Sequence, residues 1–381
     1  MNKTNILLWI FFISLAYGCT TEKKQELIHI DEKEYLNGFL GNSKMTKVNG
    51  KTFLCHYDLV TNKKIIAESL EDDEKHIIDL SEVILMSDSR IKAFEIIDWN
   101  TIYLLPIHST HLLVANGEGQ HIKTLNLSPY LEQEGQFELV NWTGSFVIND
   151  TSMIFPLEFR PESLPLTMRD SFEAYDSARY TAPRLFKIDN FLKDSLSVHF
   201  GASHLYQRFV EENVLAYDKS NFRFINGQII YSSMYTDSIY LINPITLKVT
   251  ASYKIQSDYT GLIIKHITRQ EFTNSGQNLL MYNAYSNGNI NDIFFDHISQ
   301  NYFVSVFHKP EEENQSPAKL EWSFIVLDQT FNKIDEIKMN ADLYNQNCYS
   351  TNNGLYLAAN MAHKNDTNYY KKNNYSIFKY E

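Results

Sequence analysis

Cysteine is scarce, with three among 381 residues. That excludes a scaffold stapled by several disulfides and a metal centre built from spaced cysteines. Positive charge is the minority sign: 34 Lys and Arg stand against 46 Asp and Glu, a net charge of −12. Such a surface repels phosphate backbones, so nucleic acid is excluded as a partner class. A G-x-S-x-G elbow, a P-loop and an H-E-x-x-H helix are all missing, so no catalytic signature points to a reaction. Neither a cofactor nor a metal site is expected, and a non-enzymatic role is favoured. Long helical periodicity is rare. At 44% hydrophobic and 21% charged residues, the chain is too apolar for disorder and too sparsely charged for a coiled coil.

Residues 1–18 read as an address. Lys3 precedes the run Ile6–Ala16, which is apolar apart from Ser14. The run is short for a membrane span and has the layout of a secretory signal. It ends in Leu15-Ala16-Tyr17-Gly18-Cys19, ahead of the polar stretch Thr20–Gln25. A small residue before cysteine at this place resembles a bacterial lipoprotein signal. The resemblance implies cleavage after Gly18, acyl chains on Cys19, a tether over 19–26 and a single domain over 27–381. Several acyl chains anchor firmly, because each buried methylene contributes about 0.8 kcal/mol. Thr20 stands where Asp would direct inner-membrane retention, so the outer membrane is favoured, with either of its faces admitted. Cys55 and Cys348 are expected to be buried free thiols, with a disulfide between them as the alternative in an oxidising compartment.

Beyond the signal, Val, Ile, Tyr, Phe and Thr cluster in short runs separated by Asn, Asp and Gly, which marks strands and turns. One unit recurs: an apolar or alternating run, an Asp or Asn, a short turn and a returning strand. It occurs at Phe53–Asp58 with Lys64–Ala67, Leu112–Asn116 with His121–Leu125, and Leu185–Asp189 with Ser195–Val198. It recurs at Ile239–Asn243 with Leu247–Ala251 and at Phe324–Asp328 with Lys333–Ile337. A sixth copy, Ser376–Glu381, has no returning strand. Another strand pair precedes most copies, such as Phe94–Ile97 with Thr101–Leu104. This pattern predicts an all-β chain, a β-propeller of six blades with four antiparallel strands each. A seventh blade is admitted if a degenerate unit lies near Leu279–Tyr285, and a β-sandwich is the competing architecture. Leu27–Asp31 is expected to supply the missing outer strand of the last blade, closing the ring and removing a bare sheet edge.

The lipidation signal, the repeated hairpin and the abundant Tyr, Phe and Asn form one set of features. A further one is Asp292-Ile293-Phe294-Phe295-Asp296-His297 leading into Tyr302-Phe303-Val304. On these features the chain resembles the propeller-like lipoproteins of unknown function found in gut and marine Bacteroidota. The resemblance implies the fold and the lipidated Cys19, and carries no activity or other site residue.

Strand alternation also sorts the loops. With strands labelled a to d from the axis outward, a–b and c–d turns leave one face of the disc, and b–c and d–a connections leave the other. Segments 158–183, 200–221, 256–291, 309–320 and 361–374 are assigned as b–c, d–a, d–a, b–c and b–c, so all five are expected on one face. Loops longer than about 12–15 residues in a compact domain are usually functional or disordered. Of the eight arginines, Arg160, Arg169, Arg179, Arg208 and Arg269 fall in the first three segments, where Lys219 and Lys265 are the lysines. A guanidinium fork suits carboxylate, sulfate or phosphate and stacks on aromatics; Tyr175, Tyr180, Tyr206, Phe209 and Tyr259 are near in sequence. These five arginines, with His204 and His266, are the candidate ligand-binding residues. Surface pairing with Glu162, Asp170, Glu173, Asp176, Glu211 and Glu212 is the plainer account of the arginines. The expected role is a membrane-tethered binding or assembly module for a protein, peptide or glycan at the envelope. The alternative is a polysaccharide-active hydrolase or lyase on the same face.

Other motifs carry less. His108-Ser109-Thr110-His111 has a metal-compatible spacing and no evident third ligand, so a turn is expected. Ser350–Tyr356 faintly resembles the Asp-box turn of sialidase-like propellers without its key acid, and reads as turn chemistry.

Overall fold

The structure, a computed structural model, describes residues 26–36, 43–58, 63–87, 91–106, 109–131, 137–139, 147–148, 152–159, 180–191, 196–203, 205, 220–234, 236–262, 287–310, 320–359 and 372–381. The first strand is β1 (Leu27–Leu36). Blade 1 follows with β2 (Ser43–Val48), β3 (Lys51–Tyr57), β4 (Lys64–Ser69) and β5 (Lys75–Asp79), then the short helix α1 (Ser81–Ser87). Blade 2 is β6 (Ile91–Asp98), β7 (Thr101–Pro106), β8 (His111–Ala115) and β9 (His121–Asn126), followed by α2 (Ser128–Leu131). In blade 3 the innermost place is shared by β10 (Phe137–Leu139) and β11 (Val147–Ile148), both paired with β12 (Ser152–Phe159); β13 (Leu185–Asp189) and β14 (Ser197–Gly201) complete it. Blade 4 is β15 (Ser220–Ile225), β16 (Gln228–Ser233), β17 (Ser238–Ile242) and β18 (Val249–Lys254). Blade 5 is β19 (Asn289–Asp296), β20 (Asn301–Phe307), β21 (Trp322–Leu327) and β22 (Lys333–Met339). Blade 6 takes β23 (Tyr344–Thr351), β24 (Gly354–Ala359) and β25 (Lys372–Tyr380) from the end of the chain and β1 from its beginning.

Every pairing in these six sheets is antiparallel. First strands of adjacent sheets approach each other, β2 with β6, β15 with β19 and β19 with β23, which puts them nearest the axis. The molecule is a six-bladed β-propeller. The N-terminal strand closes it, running from Leu27 opposite Tyr380 to Leu36 opposite Lys372. Among the described residues no helix is long and apolar enough to cross a membrane.

Side-chain alternation explains why the middle strands are apolar throughout. Successive Cβ atoms point to opposite faces of a strand, and both faces of a blade are covered by neighbours. In blade 5, Tyr302, Val304, Val306, Ile325 and Leu327 pack toward blade 4, while Phe303, Phe307, Trp322, Phe324 and Val326 pack toward blade 6. Six such clusters fill the six interfaces, and the last joins Tyr356, Ala358, Tyr375 and Ile377 of blade 6 to Leu54 and Leu70 of blade 1. Outer strands have one covered face, so β9 alternates between half-buried and exposed positions.

The repeated turn behaves as its sequence suggests in blades 2, 4 and 5. Asn116 Oδ1 accepts the amides of Glu118 and Gln120, Asn243 Oδ1 those of Ile245 and Thr246, and Asp328 Oδ1 those of Thr330 and Asn332. Blade 1 differs from the expectation. Phe53–Asp58 with Lys64–Ala67 is a hairpin, but it joins strands b and c. The c–d turn there begins at Ser69, whose Oγ accepts the amides of Glu71 and Asp72. A hydroxyl does the work of the expected carboxamide, which hid the turn. Ser109 Oγ likewise accepts the amide of His111 in a turn, and Thr351 Oγ1 accepts the amide of Asn353 in the turn between β23 and β24. Cys55 and Cys348 are free and buried. The stretch 279–285 lies outside the described residues.

Candidate functional site

The connections divide unequally between the two faces. On one, a–b and c–d turns run from two to seven residues. On the other, the five connections after β12, β14, β18, β20 and β24 run from 12 to 34 residues. Strand direction places all their flanking ends on that same face, as the parity of the sequence pattern requires.

The stems of the two connections of blade 5 are tied together. Thr260, in the stem that leaves β18, accepts the amide of Lys309 on its Oγ1 at 3.1 Å. The returning stem passes so close that a Cβ on Gly288 would lie 2.3 Å from that same oxygen and 2.8 Å from the carbonyl of Gly261. Only a residue without a side chain fits there. The departing stem is clasped to the outer edge of blade 5 by Glu336. This carboxylate accepts from Ser257 Oγ at 2.6 Å, the Asp258 amide at 2.6 Å, Ser323 Oγ at 2.7 Å and Lys333 Nζ at 2.7 Å. Burial alone would raise its pKa, but the donors from Lys333, Ser257, Asp258 and Ser323 outweigh it and hold the carboxyl below its ordinary value.

His308 stands next to this clasp, its Nε2 3.0 Å from Ser323 Oγ and its ring stacked on Tyr259 at 5.5 Å between centroids. A histidine, a serine and a glutamate in line invite comparison with a nucleophilic triad, but the order is inverted. The single Ser323 proton goes to Glu336, so the hydroxyl must accept from His308 Nε2–H. An activated serine needs the imidazole as its acceptor and the acid behind the imidazole. Burial lowers the His308 pKa despite the opposing charges of Glu321 and Glu336. The arrangement fastens a stem and does not generate a nucleophile.

A second polar set lines the inner strands. Lys44 of β2 pairs with Glu95 of β6, and Arg223 of β15 pairs with Asp292 of β19 through two hydrogen bonds, Nε to Oδ1 at 3.0 Å. Asn221 donates to the carbonyl of Asn291, and Tyr349 OH to that of Ser43 at 3.3 Å. These contacts cross from blade 1 to 2, 4 to 5 and 6 to 1. Burial works against the charge of Arg223, yet the attraction and hydrogen bonds of Asp292 prevail and raise its pKa. Burial pushes the Tyr349 phenol up to about 12 and raises the Cys348 thiol. Both stay protonated at neutral pH, so this belt offers hydrogen bonds and one half-buried guanidinium rather than a nucleophile.

Cys19, Arg160, Arg169, Arg179, His204, Arg208, His266 and Arg269 all lie outside the described residues. Of the aromatics near them, Tyr180 is committed to the core between blades 3 and 4 and is only 2% exposed, whereas Tyr259 is 51% exposed beside His308. The Glu336 clasp and the inner belt were not anticipated from sequence. One signal was present: Asn289, Asn291 and Asp292 stand among apolar residues of β19 with groups that need partners.

No family model matches the chain, and no curated protein matches it. Among solved structures, it is similar to the crystal structure of a member of the DUF4221 family from Bacteroides vulgatus, with a TM-score of 0.70 at 15% identity over 95% of this chain and 99% of that one. A weaker likeness, TM-score 0.49 at 9% identity over 93% of this chain and 95% of the other, is to a protein described as exported from Bacteroides fragilis. At such identities a likeness speaks for fold alone. The resemblance to Bacteroidota propeller proteins is met there: this chain has the fold of a DUF4221 protein.

Proposed function

We propose that the protein is an envelope lipoprotein, anchored to the outer membrane through Cys19, that binds or assembles with a protein, peptide or glycan through its long-connection face. The observation that carries this reading is the asymmetry of the disc. Five connections of 12 to 34 residues leave one face, while the other has only tight turns. A chain that needed only to close a propeller would gain nothing from lengthening one set of connections, and long surface loops on a rigid scaffold are where binding residues are usually placed. Arg160, Arg169, Arg179, Arg208 and Arg269, with His204 and His266, give three of these connections guanidinium forks and imidazoles suited to carboxylate or sulfate groups.

The test is binding of the soluble mature chain to arrays of acidic glycans and acidic peptides. A variant in which 160–179 is replaced by a short Gly-Ser loop is the comparison. The expected result is an array hit that weakens at least tenfold in the variant, with the melting temperature held. A hit of equal strength in both would overturn the role of that connection, and no hit for either would overturn the assigned ligand chemistry.

A further inference from the structure

We infer that the tether holds the propeller with its short-turn face and the rim of blade 6 toward the lipid, and its long-connection face turned away from the membrane that carries it. The inference rests on the reading of Cys19 as acylated and adds an orientation to it. Its basis is where β1 starts. Leu27 lies opposite Tyr380, at the end of β25. β25 departs from the long-connection face and ends on the short-turn face, so β1 begins on the short-turn face. The hydrogen bonds between Glu26 and Glu381, 3.1 and 3.2 Å, extend that pairing one step further.

Chain length then decides between the two orientations. From Cys19 to Leu27 there are eight peptide steps, which span at most about 28 Å fully extended. β1 has ten residues and ends at Leu36, opposite Lys372, on the long-connection face. Its nine steps of about 3.3 Å cover about 30 Å, a little less with the bulge between His29 and Asp31. Were the long-connection face laid on the bilayer, Leu27 would stand at the height of the far end of β1. A relaxed tether of eight residues spans only about 16 Å, so that orientation would hold the tether fully taut. The ligand of that face therefore arrives from the aqueous side and is not a component of the leaflet holding the acyl chains.

Two positions in one sector of the disc report on this. Ile298 is exposed in the turn between β19 and β20, on the short-turn face, and Leu343 is exposed between β22 and β23, on the opposite one. Ile298→Cys and Leu343→Cys variants of the full chain, purified from membranes, are labelled with a fluorophore while Cys55 and Cys348 remain buried. Each is reconstituted into vesicles containing nitroxide-headgroup lipid. The expected result is at least twofold stronger quenching at 298 than at 343; equal or reversed quenching overturns the orientation. Metabolic labelling with a fatty acid, in wild type and in Cys19→Ala, runs in parallel. Absence of label at Cys19 removes the anchor and the inference with it, whereas acylation with reversed quenching removes the orientation alone.

Discussion

Glu26 and Glu381 exchange backbone hydrogen bonds, amide to carbonyl, at 3.1 Å in one direction and 3.2 Å in the other. They add one rung to the β1–β25 ladder, so the ring is closed by strand pairing between the earliest and latest described residues. The apolar contacts of that blade depend on it, because Leu27 packs against the cluster containing Phe378 and Tyr380.

Removal of residues 20–32 should therefore strip most of the outer strand from blade 6 and bare the edge of β25. Loss of about 3 kcal/mol or more is expected, which for a chain of this size lowers the melting temperature by roughly 4 °C or more. Calorimetry and light scattering read it, and an unchanged melting temperature with no added aggregation would refute ring closure as a source of stability.

Gly288→Ala should destabilise by about 1–3 kcal/mol, as overpacking does. The new methyl would meet Thr260 and the Gly261 carbonyl. Thr260→Ala removes the first obstacle and also the acceptor for the Lys309 amide. The double variant should lose less than the sum of the two single losses, as residues in contact do. Urea unfolding of all four proteins measures the coupling, and strict additivity would contradict the described contact.

His308 and Glu336 should imprint separate windows on stability against pH. The folded His308 pKa lies below its ordinary 6.5. The unfolded chain thus takes up a proton at that position first, and stability falls as pH drops below about 6.5. The Glu336 pKa is lowered from 4.5, so its contribution is complete above about pH 4.5 and is lost as pH falls through the folded value. Between pH 7.5 and 5.5 the loss in wild type should exceed that in His308→Asn. Urea midpoints at the two pH values decide it, and parallel losses would reject a buried neutral imidazole.

Arg223→Met leaves the Asp292 carboxylate, whose side chain is 12% exposed, without its partner. Stranding one member of a largely buried pair costs about 2–4 kcal/mol. Adding Asp292→Leu should recover part of that loss, because two apolar side chains leave no charge unsatisfied. If Arg223→Met alone is neutral by chemical denaturation, the inner pair does not brace blades 4 and 5.

The blades were legible because their chemistry is local. Buried middle strands give continuous runs such as Trp322–Leu327, all six buried. An Asn or Asp at the end of such a run, as at Asn116, Asn243 and Asp328, bonds the next amides in its own turn. The same logic mislocated the first copy, where Ser69 closes the turn and Asp58 begins a b–c connection. The inner belt could not be read this way. Arg223 and Asp292 are 69 positions apart, and Tyr349 reaches Ser43 across 306. Neither pairing leaves any periodicity behind.

Strand count, hairpin order and the face from which each connection departs follow from alternating hydrophobicity and from the antiparallel rule, and these act over a few residues at a time. Which polar groups meet along the inner strands, how Glu336 clasps a distant stem and why position 288 must be glycine were settled by the packing of neighbouring blades around the ring. That packing brings remote segments within hydrogen-bonding or van der Waals distance, and the energies that matter there depend on separation in space, which linear order does not encode.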